Sequence, residues 1–180
     1  MNDQEIIETL QLQPLPWEGG YYRETYRAEE SVAASALPGR YGGDREYCTA
    51  IYYLLTPDTI SALHRVQSDE IFHFYLGDPV TMFLLSPNEA WRSTCSAREG
   101  EAKTVTLGND IAAGQQVQFV VPKFTWQGAA LKEGGRFALM GTTVSPGFEF
   151  DDFELASRAK LLADFPVHRE WILRLTRPGK

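Results

Sequence analysis

His64 is followed six residues later by Glu70 and thirteen residues later by Gly77, within the stretch SALHRVQSDEIFHFYLG, Ser61–Gly77. An imidazole and a carboxylate at that spacing meet when a turn folds one strand back against the next, and such a pair can move a proton or hold a cation. Alternation from Glu70 places Glu70, Phe72 and Phe74 on one strand face and Ile71, His73 and Tyr75 on the other. The carboxylate therefore enters an aromatic surround. A few convergent polar groups in an apolar pocket are what small-molecule sites are made of. A glutamate beside the imidazole favours its cation, while desolvation by Phe72, Phe74 and Trp126 opposes it. A histidine balanced in this way can remove a proton next to a carbonyl, a step worth roughly 10²–10⁴ in rate. A tyrosine on a neighbouring strand, with Tyr53 or Tyr21 as candidates, can return a proton on the opposite face.

Binding without turnover is the second reading. Arg23, Gln118, Gln127 and Glu149 supply hydrogen bonds, and Phe72, Phe74 and Trp126 supply stacking area for a sugar ring or another partly apolar ligand. The third reading is a divalent metal held by His64, Glu70 and Gln127; with one amide oxygen among the donors, such a site leans toward magnesium or manganese. The first two readings need no cofactor. With three histidines, two cysteines and no CxxC pair in the chain, metal chemistry has little to work with. Cys48 and Cys95 are expected as free thiols, and His168, among charges near the end of the chain, as a surface residue.

The elements that must position these groups are short. At 180 residues, 43% apolar and 23% charged, the chain fits one globular domain, with a lead-in over 1–16, a β body over 17–150 and helices over 151–180. A net charge of −7 disfavours nucleic acid and anionic membrane surfaces as partners. The longest apolar runs, Ala50 to Leu55 and Val80 to Leu85, are too short to span a bilayer and read as buried strands. The opening MNDQE is acidic where a secretory leader is basic, so a cytoplasmic location is expected.

Ile6, Ile7 and Leu10 recur at helical spacing between Asp3 and Leu12, and Pro14 and Pro16 stop that helix. Strands are expected within Trp17 to Arg27, over Cys48 to Leu55, through Ser61 to Gly77, near Trp91 to Ala97, and at Ala102 to Leu107, Val117 to Val121, TWQGAAL and Arg136 to Ser145. The 18 residues from Glu29 to Glu46 read as a flexible loop, a lid or a partner-contacting arm. Pro146 to Phe150, PGFEF, turns the chain toward a helix expected from Asp151, and a second helix is expected over Val167 to Leu175. Many short strands with no intervening long helix predict a mostly β sandwich or barrel.

The spacing of His64, Glu70 and Gly77 also resembles the first motif of the cupins, with Val66 where that motif has its second histidine. Gly114 through Pro122 to Gln127 resembles the second motif, with Phe124 in place of its glycine and Gln127 in place of its histidine. The segments EGGYYRETYR, AIYYLL, SALHRVQSDEIFHFYLGDP, VQFVVPKFTWQGAAL and TVSPGFEFDDFEL look like an uncharacterised branch of the same superfamily. That resemblance implies a double-stranded β-helix, or jelly roll, of two packed antiparallel sheets with short N- and C-terminal helices. It also implies a ligand pocket inside the barrel similar to that of nucleotide-sugar epimerases, and a homodimer joined through sheet edges or the long early loop. Its usual metal set of three imidazoles and one carboxylate is reduced here to His64, Glu70 and Gln127.

Overall fold

Alternation decides which side chains meet inside the protein. The structure, a computed structural model, describes residues 2–86 and 102–178. In chain order its strands are β1 (Gln13–Pro14), β2 (Tyr21–Arg27), β3 (Ser31–Val32), β4 (Arg45–Glu46), β5 (Thr49–Leu55), β6 (Ser61–Val66), β7 (Asp69–Gly77), β8 (Val80–Leu85), β9 (Ala102–Leu107), β10 (Gln118–Val121), β11 (Trp126–Leu131), β12 (Ala138–Ser145) and β13 (Phe153–Leu155). They form a six-stranded sheet in the order β1-β2-β5-β12-β7-β10 and a five-stranded sheet in the order β13-β6-β11-β8-β9, with β3 and β4 paired separately. All these strand pairings are antiparallel, as expected of a jelly roll.

Between the sheets, Phe72 and Phe74 of β7, Tyr53 and Leu55 of β5, Met140 of β12 and Met82 and Leu84 of β8 form the main core. Helix α1 (Asp3–Leu10), with Asn2 closing a capping box onto Glu5, lays Ile6 over Leu54 and Leu139 on the outer side of the six-stranded sheet. Helices α2 (Arg158–Asp164) and α3 (Arg169–Arg174) cover the other sheet with Leu161 and Ile172 against Leu63, Phe83 and Trp126. No helix among the described residues is long and apolar enough to cross a membrane.

Two expectations need correction. The helix expected from Asp151 begins instead at Arg158, after the Ser157 cap, because Phe153–Leu155 adds a strand to the edge of the five-stranded sheet opposite Val66, Arg65 and His64. The stretch 29–46 is not a structureless loop. Val32 pairs with Arg45, Asp44 accepts from the Ala34 amide, and Tyr41 is buried with its hydroxyl 2.8 Å from Ser68 Oγ. The strand expected near Trp91 to Ala97, and Cys95 with it, lie outside the described residues. Cys48 is a free thiol.

Candidate functional site

β6 and β7 bring their polar residues to one end of the space between the sheets, as the His64 to Glu70 spacing predicts. A cavity of about 260 Å³ opens there, lined by His64 and Val66 of β6, Glu70 of β7, Tyr22, Glu24 and Arg27 of β2, and Thr142 and Val144 of β12. Glu18, Phe148, Glu149, Phe150 and Phe153 complete much of the wall.

His64 is 3% exposed and its ring stacks on Phe153 at 5.1 Å between centroids. Its Nδ1 donates to the Ala62 carbonyl at 2.8 Å, so Nε2 carries the lone pair of the neutral ring. The group facing that nitrogen is Glu18, whose Oε2 lies 3.9 Å away while its Oε1 accepts from Ser61 Oγ at 2.7 Å. Backbone geometry delivers Glu18 to this place. Its carbonyl accepts from the Ala62 amide at 3.0 Å, two residues before His64. The chain then leaves through Gly19 and Gly20 at φ of +105° and +73°, where a β-carbon at Gly20 would stand 2.8 Å from the Leu54 carbonyl oxygen. Side chains cannot occupy that passage, so the glycine pair is what lets Glu18 reach the imidazole.

Glu70 is buried beside these groups and accepts from Gln127 Nε2 at 2.6 Å. Burial pushes its carboxyl pKa up; the nearby His64 opposes that rise and the charge of Glu18 adds to it. A carboxyl whose pKa is raised by folding stabilises the fold fully below its unfolded pKa, and that contribution is lost as pH rises through the folded value. Glu70→Gln is therefore expected to flatten the fall in unfolding free energy as pH rises above the ordinary glutamate range, measured by urea denaturation at a series of pH values. An unchanged slope in the variant would assign that pH dependence to other groups.

The remaining candidates separate by face. Glu149 lines the cavity, and Gln127 sits behind Glu70 on β11, opposite His64 in register. Phe72 and Phe74 belong to the main core. Tyr53 is also there, its hydroxyl donating to the Gly19 carbonyl at 2.9 Å, and burial, then the charge of Glu18, hold its pKa well above the ordinary phenol value. It is not among the residues lining the cavity and serves to anchor the glycine passage. Arg23 stands over the Tyr52 ring on the outer face of β2, and Gln118 is exposed beside His73. Trp126 alternates away from Gln127 into the layer beneath the C-terminal helices, with the Arg65 guanidinium 4.5 Å above its ring. Tyr21 packs toward α1, whereas Tyr22 reaches the cavity.

Arg27 is the main residue that alternation alone misses. A register shift between Glu24 and Tyr26 re-phases β2, so that Glu24 and Arg27 both line the cavity. Arg27 then ties the wall together, donating to Glu46 at 2.8 Å, to Glu149 at 2.7 Å and to Glu24 at 2.9 Å.

The donor set does not fit a resident metal ion. Among the described residues no group of three or more His, Cys, Asp or Glu is arranged to hold one. Gln127 presents its NH₂ group to Glu70, occupying a carboxylate oxygen a cation would need, while its own Oε1 is buried without a partner. His64 Nε2 is the one imidazole nitrogen available at the cavity wall among the described residues.

Comparison with known proteins agrees with this architecture. The family model described as Cupin_5, Cupin superfamily (DUF985), matches residues 4–156. The crystal structure of Protein SO0799 from Shewanella oneidensis is 38% identical, with a TM-score of 0.84 over 99% of each chain. Uncharacterized protein YML079W of Saccharomyces cerevisiae is 28% identical over 143 residues, which cover 75% of this chain and 66% of the yeast protein. The chain thus spans about two thirds of the length of that curated relative. A dTDP sugar isomerase from Desulfovibrio desulfuricans shares the fold alone, at 16% identity and a TM-score of 0.50 over 76% of this chain and 83% of that one.

Proposed function

The chain belongs to the Cupin_5 (DUF985) family of the cupin superfamily, and from that premise we propose that its barrel cavity binds a sugar-sized molecule and moves a proton on it through His64. The observation that carries the reading is the fixed imidazole: Nδ1 held by the Ala62 carbonyl, Nε2 left as the base, and Glu18 3.9 Å from it to stabilise the imidazolium that forms. Nε2 takes a proton from the carbon next to a carbonyl, and the electron pair of that C–H bond passes into the carbonyl to give an enolate. The imidazolium then returns the proton, or the phenol of Tyr22, carried on the opposite sheet, supplies one from the other side and inverts the carbon. The cavity volume of about 260 Å³ suits a monosaccharide better than the drug-sized ligands that fill roughly 300–1,000 Å³. The dTDP sugar isomerase on the same fold makes carbohydrate epimerisation or isomerisation a natural class to assay.

The test is solvent-deuterium incorporation, followed by NMR, into a panel of aldoses, ketoses and aminohexoses incubated with the protein. Incorporation at a carbon adjacent to the carbonyl, above the rate without protein, is the expected result. Saturable binding with no incorporation would leave a ligand-binding module, whose hydrogen bonds would come from Glu18, Glu149 and Thr142 rather than from Arg23 and Gln118.

A further inference from the structure

The polar wall of the cavity is lopsided in charge. Glu18, Glu24, Glu70 and Glu149 bring four carboxylates to it, against the guanidinium of Arg27 and the imidazole of His64. Arg27 is already engaged. Its Nη1 donates to Glu46 and Glu149 at 2.8 and 2.7 Å, and its Nη2 to Glu24 at 2.9 Å and the Phe148 carbonyl at 3.3 Å. A phosphate or carboxylate entering the cavity would meet no unengaged guanidinium and would be brought toward Glu18 and Glu70 in a partly desolvated space, where like charges repel more strongly than in water.

Glu18 has capacity left. One oxygen accepts from Ser61, and Oε2 stands 3.9 Å from His64 Nε2, beyond hydrogen-bonding distance. A carboxylate accepts through about four lone-pair sites, so Glu18 can take an ammonium without giving up Ser61.

We infer that the ligand of this cavity carries a protonated amine among its hydroxyls, an amino sugar or an amino polyol of similar size, with the ammonium seated against Glu18. This rests on the reading of the cavity as a sugar-sized site and narrows it. Charge complementarity, more than added contact area, then sets the choice among sugars of one shape.

Glucosamine, glucose and glucuronate share a ring size and differ in charge. Each is titrated into the full-length protein at mildly acidic pH, with affinity read by calorimetry and the site by the ring resonances of His64. Glucosamine is expected to bind at least about tenfold tighter than glucose, with glucuronate weakest, since a charged hydrogen bond contributes about 1.5–3 kcal/mol. Glu18→Gln, which keeps an acceptor for Ser61, is expected to bring glucosamine and glucose to within about twofold. Equal affinities, or glucuronate binding tightest, with the His64 ring still responding, would overturn the charge assignment and leave a sugar site. No response of the ring to any of the three would overturn the assignment and the sugar-site reading together.

Discussion

His64→Ala is expected to lower solvent-deuterium incorporation by roughly 10²–10⁴-fold, the usual worth of a positioned general base, in the sugar of the panel that exchanges fastest with the unaltered protein. The size of the loss follows from how few groups could replace it. His73 lies on the outer face of β7 with its Nε2 3.1 Å from Thr143, and His168 sits in the turn between α2 and α3, half-buried against Phe83. Glu70 lines the cavity but has one oxygen held by Gln127. Glu18 is the nearer carboxylate, yet a carboxylate is a weaker base than a neutral imidazole at neutral pH. The truncated side chain leaves a ring-sized space against Phe153, so added imidazole should restore part of the exchange to the variant and do nothing for the unaltered protein. Rescue separates a chemical role from a packing role, because a merely structural histidine would not regain turnover from free imidazole. Exchange that persists undiminished in His64→Ala would remove this residue from the mechanism.

The centre of the site was legible because it depends on two simple regularities. His64 and Glu70 sit on consecutive strands that a tight turn carries from one sheet to the other, so that the two face each other between the sheets, and the period of two carries Glu70 inward with Phe72 and Phe74 while His73 goes out. The same period, applied with the right starting phase, would have sent Trp126 away from Gln127 and Arg23 away from Tyr22. Those two were chosen for their side-chain chemistry, and the facing of a residue on an isolated strand cannot be phased without knowing its partner strand. Arg27 was hidden for a different reason. A bulge is a change of phase within one strand, and the sequence ETYR carries no glycine to announce it. Glu18 was hidden by long-range geometry: its partners, Ser61 and His64, lie more than forty residues away in the chain, and the adjacent glycines signal a turn but not its destination. The misplaced helix start at Asp151 is a case of tertiary pairing overriding local periodicity, since FEL contributes backbone bonds to the free edge beside His64.

Asp152→Ala is expected to reduce the unfolding free energy by about 3–5 kcal/mol. Arg45 donates through Nε to Asp152 Oδ2 at 2.8 Å and through Nη2 to Oδ1 at 2.7 Å, and the two side chains are 5% and 3% exposed. Removing the carboxylate leaves a buried guanidinium whose remaining hydrogen-bond acceptor among the described residues is the Asp44 carbonyl. The cost is that of an uncompensated buried charge, which exceeds the net worth of the pair itself. Replacing both residues with apolar side chains of similar size should therefore recover most of the loss, and urea unfolding of the two single variants and the double variant measures the difference as a coupling energy. The pair also has a functional consequence. It fastens β4 to the short turn Phe150–Asp152, whose Phe150 forms the aromatic side of the cavity with Phe148 and Phe153 and whose preceding residue, Glu149, is held by Arg27. Loosening that turn frees Phe153 from the face of His64, so Asp152→Ala should weaken sugar binding even at temperatures where the variant is fully folded. Full-strength binding in the folded variant would show that Arg27 and the β6–β13 pairing hold the aromatic wall without help from the buried ion pair.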